Sequence, residues 1–160
     1  MPACSRSRAS ILGLRRTPGL RVRQAEGRAF VAAQRDASWD ALVIDAFVGA
    51  TVPRRLITLQ ALADVARVAP LALVNVVDDR SARDVRAVAA GLATAYPRVW
   101  TLGGRAGNTV VAGCLAEPDL DRIGAQAAAD PSPARLSAPA AVARLVAATP
   151  PLRDEEIAKV

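Results

Sequence analysis

The chain has 160 residues, of which 52% are hydrophobic and 3% aromatic, and its formal net charge is +6. This length suits one domain with a sizeable core. Because the sequence has no histidine and only two cysteines in unrelated contexts, Cys4 and Cys114, it excludes a His-based catalytic triad and a structural zinc site. We therefore expect no metal.

Cysteine usage and hydropathy together predict a cytoplasmic protein. Two widely separated cysteines suggest no disulfide framework, which is typical of a reducing compartment. No apolar run approaches the ~20 residues needed to span a bilayer. The first residues are basic but lack the apolar segment of a secretory signal, so we expect no association with a membrane.

The positive charge is concentrated at the N-terminal end of the chain. Residues 1–35 contain eight arginines and a single acid, Glu26, whereas residues 36–160 have a net charge of −1. We predict that residues 1–16 form a poorly ordered basic leader. Such an arm can bind nucleic acid through phosphate contacts, but no aromatic stacking pattern or helix-turn-helix signal accompanies it. Nucleic-acid binding is therefore the weaker alternative.

Strand and helix patterns alternate between residues 20 and 77. Residues 20–24 alternate apolar and polar side chains, which predicts a strand with one exposed face. A short helix should then open at Gly27 and Arg28. Residues 41–47 and 71–77 are nearly continuous apolar runs, typical of central strands in a parallel sheet. Between them, residues 55–69 place apolar side chains on one helical face.

The pattern continues through the second half of the chain. Residues 81–96 predict a helix, with Ser81 and Asp84 at the spacing of a capping box. Residues 99–102 and 108–112 predict two strands, which the glycine-rich residues 103–107 should join as a hairpin. Residues 119–129 and 138–148 predict short helices, and residues 149–160 a polar tail. The alternation predicts one α/β domain over residues 17–148, with a doubly wound, parallel sheet and an antiparallel edge.

Two acidic residues follow predicted strands of this sheet. Glu26 follows the first strand and Asp45 the second. In open α/β sheets, ligands bind beyond the carboxyl ends of the strands. Glu26 is therefore a candidate to accept hydrogen bonds from an adenine amine, and Asp45 a candidate to accept a proton from an attacking amine. Either carboxylate is equally well interpreted as a helix cap or a loop residue that satisfies backbone N–H groups.

Three segments have a more specific order and spacing: PGLRVRQAEGRAF at 18–30, WDALVIDAF at 39–47 and LALVNVV at 71–77. Together with Val52, Pro53, Leu56 and the late GNTVV strand, they resemble the spermidine synthase family over residues 17–115, most closely its divergent bacterial members. The resemblance implies a Rossmann-like class I methyltransferase fold, with a mostly parallel sheet and an antiparallel terminal hairpin. It also implies transfer of an aminopropyl group from decarboxylated S-adenosylmethionine to a small amine, with the co-substrate not bound tightly.

The resemblance assigns roles to individual residues. Glu26 and Gly27 match the pair that contacts the adenine in the family, and Asp45 matches the carboxylate that accepts the proton of the attacking amine. The second Asp of that motif, which helps to hold the amine, falls on Val48, and the Pro falls on Gly49. The resemblance therefore carries the proton acceptor but not the amine-binding carboxylate.

The family's first strand, its glycine-rich turn and the acidic end of its second strand should all precede Thr17. Residues 1–16 stand there instead, a segment with four arginines and no acid, and no acid precedes Glu26 to hold the ribose hydroxyls. We therefore expect an N-terminally truncated domain with weak or absent transferase activity. The strand at Val43 and Ile44 should expose an unpaired edge that recruits a second copy or another partner. A non-enzymatic interaction module is thus the second hypothesis.

Overall fold

A computed structural model describes residues 19–78, 81–103, 107–131, 134–137, 139–147 and 149–157, so the predicted leader lies outside the described residues. The helices are α1 (Gly27–Ala32), α2 (Leu59–Val68), α3 (Arg83–Ala95), α4 (Leu120–Ala129), α5 (Pro139–Val146) and α6 (Asp154–Ile157), with a 3₁₀ turn at Arg54–Leu56. The strands are β1 (Leu42–Ile44), β2 (Leu71–Asp78), β3 (Arg98–Gly103), β4 (Gly107–Cys114) and β5 (Arg135–Ser137). None of the described helices is long and apolar enough to cross a membrane.

The strands form one five-stranded sheet in the order β1-β2-β4-β3-β5. β1 pairs in parallel with β2, and the other three pairings are antiparallel. These pairings make β1, β2 and β3 run in one direction, with β4 inserted between β2 and β3 in the opposite direction. The mixed α/β fold and the antiparallel hairpin of β3 and β4 confirm the predicted fold class, but the described sheet is not mostly parallel as predicted, because three of its four pairings are antiparallel. β1 and β5 are the edge strands of the described sheet, so the apolar run at 41–47, which predicted a central strand, lies at an edge instead.

Alternation along β2 places a hydrophobic core on each face of the sheet. Ala72, Val74 and Val76 are buried on the face covered by α2 and α3, where Leu62 and Leu92 have no exposed surface. Leu71 and Leu73 point to the opposite face, where residues of α4 and β5 pack around a second cluster. That cluster has three buried members, Trp100, Ala112 and Cys114. The first core is the larger, and it positions the ends of β1 and β2.

Residues 20–24 do not form the predicted strand. They have no regular secondary structure and pair with none of the described strands, and the side chain of Val22 is 72% exposed. An alternating pattern marks a strand only where a neighbouring strand supplies the hydrogen bonds, and none of the described strands lies beside this segment. The prediction was wrong in secondary structure because pairing is not encoded within the segment itself.

The capping box predicted for α3 is also absent. The N-cap residue is Ala82, whose side chain cannot accept a hydrogen bond. Instead, the carboxylate of Asp78 at the end of β2 accepts the backbone N–H groups of Asp84 and Val85, at 2.8 and 3.0 Å. A carboxylate from the preceding strand therefore satisfies the first turn of the helix.

Two segments near the C-terminus are more ordered than the sequence suggests. Residues 135–137, which showed no strand pattern, pair with β3 as β5. In the predicted polar tail, Leu152 packs against the main core and its carbonyl accepts the N–H of Leu59 at 2.7 Å. The short helix α6 follows, and its Asp154 pairs with Arg28 at 3.4 Å. The described part of the tail thus packs on the domain.

Candidate active site at the end of strand β1

Asp45 lies directly beyond β1, at the edge of the sheet. Its side chain is exposed, and its Oδ1 accepts a hydrogen bond from Nδ2 of Asn75 at 2.9 Å. The parallel register explains the contact, because Ile44 pairs with Val74 and the next residue of each strand therefore lies side by side. Asn75 thus fixes one oxygen of the carboxylate, while the other remains available to accept a proton.

Asn75 has an unusual feature of its own. Its Oδ1 is enclosed and has no hydrogen-bond partner within the described part of the chain. Leaving a polar atom buried without a partner costs about 1–3 kcal/mol, so such atoms are uncommon in folded proteins. Asn75 was not among the site residues that the sequence predicted. The available signal was a lone polar residue in the apolar run at 71–77, one residue beyond the position that pairs with Ile44.

A cavity of about 320 Å³ lies between α1 and β1, with Asp45 on its wall. The rest of its lining is mostly apolar and includes Phe30, Val31, Leu42 and Leu56. Gly27 also lines it, so the structure brings two of the three predicted site residues to one cavity. An apolar cleft of this size with a single carboxylate on its wall has the general character of a small-molecule site.

Gly27, the first residue of α1, is closely packed. A Cβ atom at this position would lie 3.3 Å from Cδ2 of Leu56, which is tighter than an ordinary contact. The absence of a side chain therefore allows the 3₁₀ turn to approach the first turn of α1. Both Gly27 and Leu56 line the cavity.

Glu26 is the predicted site residue that does not line this cavity. Its Oε2 accepts the backbone N–H of Ala29 at 2.8 Å, so it is the N-cap of α1. Its Oε1 lies 3.9 Å from Arg55, in a separate depression that Arg28 and Asp154 also line. The pKa of Glu26 lies below its ordinary value, chiefly because the Ala29 N–H stabilises the carboxylate, with Arg55 contributing. The helix-cap interpretation therefore describes the side chain of Glu26.

Arg28 holds α1 in place next to the cavity. Its Nη1 donates to Oγ1 of Thr58 at 3.0 Å, and its Nη2 lies 3.6 Å from Asp64 and 3.4 Å from Asp154. Thr58 is fully buried and also caps α2 by accepting the N–H of Ala61. One guanidinium therefore ties α1 to α2 and α6, next to the cavity that Arg28 also lines.

The turn after Asp45 has no second carboxylate. Val48 pairs with Thr51 in an isolated bridge, and its side chain is 70% exposed. Gly49 has a φ of +63°, which a glycine adopts without strain. The position that matches the amine-binding Asp is thus an exposed apolar residue, as the sequence indicated.

These features define a mixed α/β domain of the class I methyltransferase type, with a cavity at the carboxyl end of its edge strand. A solved structure with this fold is described as a probable spermidine synthase from Corynebacterium glutamicum. It is 21% identical to this chain, has a TM-score of 0.82, and matches 92% of this chain and 60% of its own. The chain thus spans about 60% of the length of the solved protein.

The other comparisons found no relative. No protein-family model matches the sequence, and no curated protein matches it significantly. The likeness to the solved structure confirms the predicted spermidine synthase-like fold, and at 21% identity it shows the fold alone.

Proposed function

We propose that this chain is a spermidine synthase-like transferase domain of the cytoplasm in which Asp45 is the catalytic proton acceptor. The observation that supports this most is the shared cavity of Gly27 and Asp45, at the carboxyl end of edge strand β1 in a fold like that of a probable spermidine synthase. The proposed co-substrate is decarboxylated S-adenosylmethionine, and the proposed acceptor is a small amine.

In the proposed reaction, the amine nitrogen attacks the aminopropyl carbon that is bonded to the sulfonium sulfur. A C–N bond forms as the C–S bond breaks, and the electron pair of the broken bond neutralises the sulfur, so methylthioadenosine leaves. The nitrogen loses one proton to the carboxylate of Asp45, which Asn75 orients through its 2.9 Å hydrogen bond. The exposure of Asp45 gives that proton a route to solvent.

We propose that the 160-residue chain turns over slowly or not at all by itself. Glu26 caps α1 and does not line the cavity, so it offers the nucleoside no direct contact there. Val48 cannot pair with an ammonium group. No acidic residue precedes Glu26 in the sequence, so the chain has no carboxylate in that region to hold the ribose hydroxyls.

The test measures release of methylthioadenosine from decarboxylated S-adenosylmethionine with a series of diamines. The enzyme is a longer chimeric form in which the first strands of the solved probable spermidine synthase precede residue 19. We expect Asp45→Asn to reduce turnover by about two to four orders of magnitude, the usual contribution of a positioned general base. Asp40→Asn, an exposed carboxylate before the same strand, is the matched control and should be neutral. Near-normal turnover by Asp45→Asn, or no release with any amine, would refute the proposal.

A second candidate function is a non-enzymatic interaction module that pairs through the edge of β1. Among the described residues, six of the seven exposed large hydrophobic side chains lie between residues 20 and 48. Val43, in β1 itself, is 62% exposed, and β1 pairs with β2 alone in the described sheet. An apolar edge with unpaired backbone groups favours addition of another strand. We propose a homodimer as its simplest form, since a two-fold pair closes its own interface.

Light scattering after size exclusion, at several protein concentrations, tests this second candidate. We expect a dimer for the native chain and a monomer for Val43→Lys, because a charge on the exposed face of an edge strand opposes pairing. Arg122→Glu, an exposed change on α4, should leave the dimer intact. A native chain that stays monomeric at the highest concentration would exclude the homodimer.

A further inference from the structure

A second cleft lies against α1, beside the cavity that contains Asp45, and the two share Gly27 and Phe30 in their walls. It has a volume of about 690 Å³, within the range of ordinary ligand sites. Its wall carries three guanidinium groups, those of Arg21, Arg23 and Arg35, and two aromatic rings, those of Phe30 and Trp39. Neither the predicted transferase site nor the packing of the core requires this combination.

The three arginines are electrostatically uncompensated. In the described part of the chain, none of them forms an ion pair with a carboxylate. The carboxylate that follows Arg35 in sequence, Asp36, is already held by Arg67 at 2.7 Å. The cleft therefore presents a net positive wall that favours an anionic ligand.

The aromatic side of the cleft is held in position by the end of α2. Arg67 donates to the carbonyl of Gln34 at 2.7 Å and pairs with Asp36, and this fixes the chain after α1. The N–H of Trp39 donates to the carbonyl of Val68 at 3.1 Å. The Trp39 ring lies 6.5 Å from that of Phe30 and is 45% exposed, so it remains accessible to a planar ligand.

We propose that this cleft, the cationic-aromatic cleft, binds a nucleotide, with its base stacked on Trp39 and its phosphates on Arg21, Arg23 and Arg35. Aromatic rings stack on any base, and guanidinium groups match phosphate oxygens in geometry and charge. Decarboxylated S-adenosylmethionine carries two positive charges, on its sulfonium and its ammonium group, so the arginines repel it. Gly27 and Phe30 line both cavities, but the three arginines and Trp39 line this cleft and not the cavity with Asp45, so nucleotide binding here is a function distinct from the proposed transfer reaction.

The nucleotide chemistry has two possible sources, a free nucleotide or a unit of single-stranded nucleic acid. Titration of the full chain with ATP and, separately, with an oligothymidylate distinguishes them. Tryptophan emission is a direct reporter, because Trp100 is 6% exposed and buried whereas Trp39 lines the cleft. We expect quenching by the ligand that binds. Oligothymidylate binding should weaken with salt at a slope of about −2 in log units, as three phosphate contacts to a single strand require.

Substitutions separate this cleft from other basic regions of the chain. We expect Arg21→Gln, Arg23→Gln and Arg35→Gln each to weaken binding by about tenfold, the value of one charge-assisted contact. Arg122→Gln, an exposed arginine on α4, and Asp45→Asn should leave the affinity unchanged. Unchanged far-ultraviolet circular dichroism would confirm that the variants fold.

Three results would overturn the proposal. The first is no change in tryptophan emission with either ligand up to about millimolar concentration. The second is binding that none of the three arginine substitutions weakens, which would place the ligand elsewhere, for example on the basic leader. The third is that inorganic phosphate, which quenches no tryptophan emission itself, displaces the nucleotide as effectively as a nucleotide does. The base would then contribute nothing to binding, and the cleft would be a simple anion site.

Discussion

The hydrogen bond between Asn75 and Asp45 makes a sharp prediction for Asn75→Asp. The substitution keeps the size of the side chain but replaces the donor with a second carboxylate, 2.9 Å from Oδ1 of Asp45 if nothing moves. Two unit charges at that separation repel by about 1.4 kcal/mol in water and about 6 kcal/mol at an effective dielectric constant near 20. Because Asp45 is exposed and can rotate toward water, we expect a loss near the lower value, about 1–2 kcal/mol.

The loss should depend on pH with a defined sign. The paired carboxylates of the variant should take up one proton at a higher pH than an isolated carboxyl group does. The deficit in unfolding free energy is therefore present at pH 7 and shrinks as the pH falls toward about 4. Urea denaturation at a series of pH values measures it by linear extrapolation.

Asn75→Leu is the matched control, since it removes the hydrogen bond without adding charge. It also removes the enclosed Oδ1 that has no described partner, and relief of that cost offsets the lost bond. We expect Asn75→Leu to be as stable as the native chain or slightly more stable, at every pH. If Asn75→Asp matches the native stability at pH 7, the two side chains do not interact as described.

Three further predictions concern stability. Tyr96→Phe should lose about 1–3 kcal/mol in urea denaturation, because the Tyr96 hydroxyl donates to the buried carbonyl of Ala69 at 2.9 Å. Since burial raises the pKa of Tyr96 to about 12, the native chain should also lose stability between pH 10 and 12, and the Phe variant should lack that drop. Because the pKa of Glu26 is lowered, its stabilising effect is present at neutral pH and disappears below about pH 4.5. Glu26→Gln should therefore make the thermal midpoint less dependent on pH in that acidic range. A variant with the same pH dependence as the native chain would contradict the role of Glu26 as the cap. Deletion of residues 1–16 should leave the thermal midpoint nearly unchanged, and a large drop would mean that the leader contributes to the fold.

Much of the fold could be predicted from the sequence because its central elements are strongly patterned. The apolar runs at 41–47 and 71–77 identified β1 and β2, and α3 and the β3–β4 hairpin appear within a few residues of their predicted bounds. The elements that were missed depend on partners distant in sequence. β5 exists by pairing with β3, and residues 20–24 remain unpaired because no described strand lies beside them. The hydrophobic pattern of a segment indicates whether it suits a strand or a helix, but it does not indicate which other strand will pair with it.

The candidate site was only partly predictable for the same reason. The position of Asp45 after an apolar strand indicated the carboxyl end of a sheet, and the cavity agrees with that position. The sequence left open whether Glu26 contacts an adenine or caps a helix. In the structure its side chain accepts the N–H of Ala29, as a helix cap does. Asn75 could be found only through the register of β1 against β2, which no local pattern contains. The same holds for the cationic-aromatic cleft, whose arginines and Trp39 are brought together by the chain's path around α1.

Calorimetric titration of the 160-residue chain with methylthioadenosine tests the central claim most directly. That claim is that the chain contributes the proton acceptor and one apolar wall of the site but too few contacts to hold the nucleoside. We predict no saturable binding at concentrations up to about 1 mM, which corresponds to a binding free energy weaker than about −4 kcal/mol. A micromolar dissociation constant that Asp45→Asn leaves intact would contradict the claim, since the described residues would then form a complete nucleoside site.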